Sequence, residues 1–220
     1  MGGTTAKASL VENGKYSRAV EYSVGGGIMA GSRLLTGSGY RLKVPAIDLA
    51  EVGAGGGSIV WIDPAGALQV GPKSAGETPG PVCYGKGGTD PTMTDACAIL
   101  GYLNPNHLVG GDLPLNTELS KKVFANKIAG PLGLELEQAA YGDYEIASAN
   151  MIRAIKSVSS ERGRDPRDYV LFAFGGNGPL FAGAIAAILH MRRILVPPAP
   201  GVFSAFGLLC AEVEHHYSQT

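Results

Sequence analysis

Short runs of alternating apolar and polar residues open the chain. From Ala6 to Val24 they form two strand-like stretches, AKASLV and YSRAVEYSV, joined through Glu12-Asn13-Gly14. Asn-Gly between such runs signals a hairpin, because both residues tolerate the positive φ angles of a tight two-residue turn. A second hairpin is expected where SIVWID and ALQVG flank Pro64-Ala65-Gly66. Between the two lie a glycine-rich stretch, VGGGIMAGS, and a strand-like run, YRLKVPAIDLA. Residues 71–94 are rich in Gly and Pro with little periodicity, so a long ordered loop with a functional role is expected.

Beyond residue 94 the apolar spacing becomes helical. Thr94 and Asp95 precede ACAILGYL, a short helix for which either would serve as N-cap. TELSKKVFANKIAG, residues 117–130, predicts an amphipathic helix stopped by Gly130-Pro131. Residues 135–142 are helix-compatible and lead into DYEIASANMIRAIKSVSSERG. There Ile146, Ala149, Ile152, Ile155 and Val158 mark one face, and Ala147, Met151 and Ala154 widen it, so this helix should lie deep. SSERGRDPRD reads as a solvated, charge-dense loop.

After Pro166 the pattern is strand, turn, helix, strand. YVLFAF is a continuous apolar run, as in a strand buried on both faces; GGNGP turns; LFAGAIAAILH is a helix with Pro179 in its first turn; RILVPP is the next strand. This β-α-β unit sets a glycine turn between a strand's C-terminal end and a helix N-terminus, where open α/β sheets bind anions and nucleotides. The tail, GVFSAFGLLCAEVEHHYSQT, begins as a helix and is compatible with a last strand.

Composition narrows the partners. A chain of 220 residues, 45% hydrophobic and 17% charged, can bury a sizeable core in one large domain or two small ones. Its formal charge of -1 lacks the electrostatic footprint of a nucleic-acid binder. No apolar run of about 18 residues could span a bilayer, and no signal-peptide pattern opens the chain. Small molecules or proteins in the cytoplasm are the expected partners. Cys83, Cys97 and Cys210 are odd in number and lack metal-type spacing, so they read as reduced, structural thiols. His107, His190, His215 and His216 likewise form no metal-binding pattern.

The 33 glycines carry the chemistry, crowding into VGGGIMAGS, EVGAGGGSIV, GKGGTD and FGGNGP beside strand-like runs. At the start, Gly2-Gly3-Thr4-Thr5 suits an anion: glycine lets the backbone approach, and threonine adds hydroxyl donors. Gly55, Gly56, Gly57 and Ser58 read either as a second anion nest or as the entry to a hairpin. Asp95 and Glu51 stand at loop and element ends, where a carboxylate could hold Mg²⁺ through water or act as a base. Asp95 is equally explained as a helix cap, and Glu51 as a surface carboxylate. Lys7 could reach a phosphate or lie solvated on its strand.

GAGGGSIVWID, VGPKSAGETPGPVCYGKGGTDPTMTDA, SSERGRDPRDYVLFAFGGNGPLFA and VPPAPGVFSAFGLL, in this order, resemble the A-type subunit of the hydantoinase and 5-oxoprolinase family. The resemblance covers nearly the whole chain. It implies an α/β, actin-like ATPase fold of the acetate and sugar kinase, heat-shock 70 and actin type, with residues 1–94 as hairpins and glycine-rich loops and 95–220 as the helical part and β-α-β unit. It implies ATP with Mg²⁺, used to phosphorylate the carbonyl oxygen of a cyclic amide such as a hydantoin or 5-oxoproline. Relatives that carboxylate acetone or acetophenone are the alternative, and an inactive remnant or interaction module is a third. Gly2, Gly3, Thr4 and Thr5 match the family's phosphate turn, and Gly175, Gly176, Asn177, Gly178 and Pro179 its adenosine-side turn. The family pattern places an Asp directly ahead of the residue that is Met1 here, and an earlier phosphate loop in a preceding domain. The expectation is therefore the C-terminal part of an A subunit, partnered by the missing N-terminal part and by a B-type subunit or domain.

Overall fold

The computed structural model describes residues 1–19, 22–24, 40–42, 46–213 and 215. The expected glycine loop VGGGIMAGS, past Val24, and the end of the tail, His216 included, lie outside the described residues. The chain divides into two units, each discontinuous in sequence: Met1–Ala6 with Gly53–Met151, and Lys7–Val52 with Ile152–Thr220.

Between residues 6 and 52 the described strands form short pairs, three of them antiparallel. β1 (Ala6–Ser9) is followed by the small hairpin of β2 (Val11–Glu12) and β3 (Lys15–Tyr16), whose turn residues Asn13 and Gly14 have φ of 52° and 73°. The Asn-Gly turn thus forms as expected, but its hairpin is two residue pairs long. The following run pairs elsewhere: β4 (Arg18–Ala19) with β7 (Ala46–Ile47), and β5 (Tyr22–Val24) with β6 (Tyr40–Leu42). β8 (Leu49–Val52) returns beside β1.

The first unit is built on β9 (Ser58–Ile62) and β10 (Leu68–Ser74), the expected second hairpin, with Val60 opposite Val70. Asp63 shapes its turn by accepting N–H bonds from Ala65 and Ala67, both at 2.9 Å. Helix α1 (Met93–Ile99) is capped by Thr92, not by Thr94 or Asp95, and Asp95 completes a reciprocal capping box from within the first turn. Helix α2 (Thr117–Phe124) is not stopped at Gly130-Pro131. It widens into a π-helical turn over Ala125–Ala129, where Gly130 N–H donates to Ala125 O, and runs through α3 (Gly130–Leu132) to Gly133, whose φ of 66° ends it.

Helix α4 (Leu136–Val158) is the long helix expected, but its buried stripe is rotated. Ala140, Ala147, Met151, Ile152, Ala154 and Val158 are buried, so Ile152, Val158 and the three widening residues meet the expectation, whereas Ala149 is exposed and Ile146 and Ile155 half-buried. A helix apolar over much of its circumference leaves periodicity unable to choose the face.

In the second unit β11 (Leu171–Phe172) and β12 (Ile194–Leu195) run parallel, joined through α5 (Gly178–Ile188) with Pro179 in its first turn. The strand is shorter than YVLFAF and is not buried on both faces, Phe172 and Phe174 being 41% and 37% exposed. Helix α6 (Phe203–Leu209) follows, and residues 211–213 form no strand. SSERGRDPRD is anchored instead of loosely solvated. Arg162 grips Asp48 with two guanidinium nitrogens, and Arg164 and the Tyr169 hydroxyl both bind Glu12, whose carboxyl they hold below the usual range.

Two fully buried carboxyl groups lie in the first unit in opposite circumstances. Asp95 accepts five hydrogen bonds: Oδ1 from Cys83 N–H (2.8 Å) and the Ser120 hydroxyl (2.6 Å), Oδ2 from Val82 N–H (3.1 Å), Thr92 N–H (2.9 Å) and the Thr92 hydroxyl (2.7 Å). It thereby joins the turn Val82–Tyr84, α1 and α2. Asp143 on α4 has no partner for either oxygen among the described residues. Burial, and then the Asp95 carboxylate, push its carboxyl well above the usual range.

Opposite mutational responses follow. A raised folded pKa confers stability that is complete below the unfolded value of about 3.9 and is lost as pH rises towards the folded value. Asp143→Leu should therefore gain on the parent as pH rises from 4 to 8, reaching about 1–3 kcal/mol in urea unfolding at pH 8. Asp95→Asn turns amide hydrogens towards groups that are already donors, and should cost about 3 kcal/mol or more in the same measurement.

Candidate functional site

The first unit builds a backbone turn on a glycine support. Gly2 N–H donates to Thr5 O at 3.0 Å and closes the turn Gly2–Thr5. Gly3 and Thr4 at its tip are exposed, and among the described residues their N–H groups donate to no acceptor. Beneath them Gly56 N–H donates to Gly2 O (3.1 Å) and Gly57 N–H to Gly3 O (2.6 Å). A Cβ on Gly55 would stand 2.4 Å from the N and C atoms of Thr4, so only glycine permits this stacking.

The support is itself fastened on two sides. Gly56 O accepts from both the N–H and the hydroxyl of Thr94 at 2.8 Å, and Gly57 O accepts from Ala75 N–H at 2.8 Å. Ser58 Oγ accepts from Gly55 N–H (2.8 Å) and donates to Gly53 O (3.2 Å). With Ser58 N–H bonded to Gly55 O, the N–H groups from Gly55 to Ser58 are all committed to protein acceptors. This stretch is a buried hairpin entry that holds the first turn, not a second anion nest.

Asp95 stands next to Thr94, and its hydrogen bonds set the first turn of α1, from which Thr94 reaches Gly56. Glu51 belongs to the other unit, on β8, where Lys7 Nζ lies 3.2 Å from Oε1 and both side chains keep solvent access. The two carboxylates singled out from sequence thus have different settings, one enclosed and one partly open, while Lys7 and Glu51 meet each other.

The second unit carries the other glycine turn. Ala173 N–H donates to Leu195 O (2.9 Å), and Gly175, at φ 84°, donates to Pro200 O (2.8 Å). Gly176 then faces open space, and among the described residues its N–H donates to no acceptor. Asn177 is the N-cap of α5 without a side-chain cap bond, and Gly178 begins the helix. The arrangement presents backbone donors at the positive end of a helix dipole.

Other candidates have structural settings. Cys83 and Cys97 are buried. Burial and then the Asp95 charge push the Cys83 thiol up, while burial and Asp143 push that of Cys97 to about 12, which suits neither for nucleophilic attack. Among the described residues no group of three or more His, Cys, Asp or Glu side chains is placed to hold a metal. Thr94 and Ser58, which fix the glycine support, do so in roles other than the helix cap and anion nest that the sequence suggests for them. A hydroxyl residue beside a glycine run or at a helix start is a signal, but a common one.

The Hydantoinase/oxoprolinase family model matches residues 1–217. An uncharacterized protein of Methanocaldococcus jannaschii is 51% identical over 96% of this chain and 31% of its own length. The caprolactamase subunit alpha of Pseudomonas jessenii is 43% identical over 80% of this chain and 25% of its own. The nucleotide-free structure of acetone carboxylase, from work on ATP-dependent acetone carboxylation, superposes with a TM-score of 0.82 at 32% identity, over 99% of this chain and 29% of that one. The chain spans about a quarter to a third of the length of these relatives. With a family model matched over nearly its whole length, the chain belongs to the hydantoinase/oxoprolinase family.

Proposed function

We propose that this chain supplies phosphate and adenosine contacts to an ATP-dependent enzyme that opens a cyclic amide. The observation that carries this reading is the exposed Gly3-Thr4 tip, with undonated N–H groups held by a support that admits no side chain at Gly55. Such a turn suits a polyphosphate: its donors are fixed before the ligand arrives, so little reorganisation accompanies binding.

In this assignment Gly2, Gly3, Thr4 and Thr5 bind phosphate oxygens, and Gly175, Gly176, Asn177 and Gly178 line the adenosine side. Bound ATP, with Mg²⁺, supplies a phosphoryl group whose transfer to the amide carbonyl oxygen makes that carbon susceptible to attack. The protein's part is to position and to offset charge. Asp95 acts through Thr94 and the glycine support as a positioning residue. Glu51, with its solvent access, is the carboxylate available for a water-mediated Mg²⁺ contact or for proton transfer.

The relatives' greater length supports a partner in the remainder of an A-type polypeptide, with a B-type subunit or domain completing the enzyme. A surface suited to such a neighbour exists in the second unit. No residue of α6 is buried, and Phe206, Leu208 and Leu209 are 59%, 77% and 86% exposed. A second reading, a ketone carboxylase subunit, is favoured by the superposition on acetone carboxylase.

A Cβ at Gly3 or Gly176 would meet no atom within 4 Å, and neither residue has a positive φ. Gly3→Val and Gly176→Val should thus keep the parent's melting temperature while weakening ATP binding about tenfold or more, close to 1.4 kcal/mol, in nucleotide-dependent thermal shifts. Unchanged ATP stabilisation in both variants, or none in the parent, would remove the nucleotide assignment. In the assembled enzyme, product formation from a cyclic amide without bicarbonate is expected; a strict need for bicarbonate with a ketone would select the carboxylase reading.

A further inference from the structure

The first unit has a cavity of about 570 Å³ that the proposed function does not use, between the β9–β10 hairpin and the π-helical turn Ala125–Ala129. Its volume falls within the range of small-molecule sites, and its lining is largely apolar with few polar groups. Trp61 forms one side. The residue is 41% exposed, yet its Nε1–H donates to Gly71 O at 2.7 Å, so the ring is pinned while the residue stays accessible to solvent. Pro72 and Ile128 continue the apolar lining.

Charge at the cavity is unbalanced. Lys73 and Lys127 both line it, with Asp90 as the acidic group. Asp90 is bound to Lys127 at 2.8 Å. Lys73 pairs with no carboxylate among the described residues. One net positive charge beside a fixed aromatic ring and a proline is complementary to a single anionic group carried on an apolar body.

We propose that this cavity binds a small monocarboxylate with an aromatic or aliphatic body, its carboxylate at Lys73 and its body on Trp61 and Pro72. The site adjoins the glycine support. A Cβ on Gly71 would stand 2.3 Å from Gly53 O, and one on Gly53 would stand 3.1 Å from Pro72 Cβ. A ligand seated on Pro72 therefore abuts the stretch that continues to Gly55–Gly57 beneath the Gly3-Thr4 tip.

Trp61 is the single tryptophan of the chain, so its emission reports on this cavity alone. Titrating the 220-residue chain with benzoate, excited selectively at the indole, should give a saturable change. Benzyl alcohol, of similar shape without the charge, should require about ten times the concentration or more, as for loss of a hydrogen bond to a charged group. Lys73→Met should weaken benzoate about tenfold and leave benzyl alcohol unchanged. Lys127→Met, a second surface variant, should weaken benzoate less, because that ammonium is shared with Asp90. A linear, unsaturable response, equal affinity for the alcohol, or full benzoate affinity in Lys73→Met would each overturn the proposal. A response only to acidic peptides would overturn it in favour of a protein segment.

Discussion

The first unit depends on one enclosed carboxylate meeting enough donors. Asp95 is removed from water, and burial of a lone charge would oppose folding strongly. Five donors from the chain offset that cost, and they come from three places that the carboxylate ties together: the turn Val82–Tyr84, the cap of α1, and Ser120 of α2. The Gly- and Pro-rich stretch before α1 thus needs no apolar periodicity of its own. Its backbone N–H groups at Val82 and Cys83 are satisfied by the carboxylate, which gives the stretch a fixed course.

From there order passes outwards by hydrogen bonds and close backbone approach. Thr94, one residue from Asp95, uses its N–H and its hydroxyl on Gly56 O; Gly56 and Gly57 use theirs on Gly2 and Gly3. The exposed tip is consequently the last member of a chain of fixed groups, each with little conformational freedom. Preorganisation of this kind lets a small exposed turn hold its donors in place without a large hydrophobic contact. Asp143 marks the contrast: a carboxyl enclosed at the same depth with no donor, held there by the packing of α4.

Local signals were legible where one or two residues decide the outcome. Asn13-Gly14 specified its turn, Pro64-Ala65-Gly66 its hairpin, and Pro179 the start of α5. Signals failed where tertiary partners choose. The run after Tyr16 satisfies a strand pattern, but its partners are not adjacent: Arg18 pairs with Ile47 and Tyr22 with Leu42. Gly130-Pro131 reads as a stop, yet a π-helical turn dispenses with the N–H that proline lacks, and the helix continues to Gly133. At the sites, the glycine composition was readable and its division of labour was not: whether a glycine N–H is offered to a ligand or donated to another loop depends on which loops meet. Gly3 and Gly55 look alike in sequence and differ in this respect.

The discontinuity of the two units also limits how the molecule can be subdivided. The chain passes from one to the other after Ala6, after Val52 and within α4 after Met151. No single cut in the gene yields either unit whole. Residues 53–151 expressed alone would lack the segment 1–6 that covers Gly55 and Gly57, and would expose a glycine run with nothing stacked on it. An excised unit of that kind needs the first six residues joined back by a linker, so a permuted gene, not a truncated one, is the route to studying the phosphate turn in isolation.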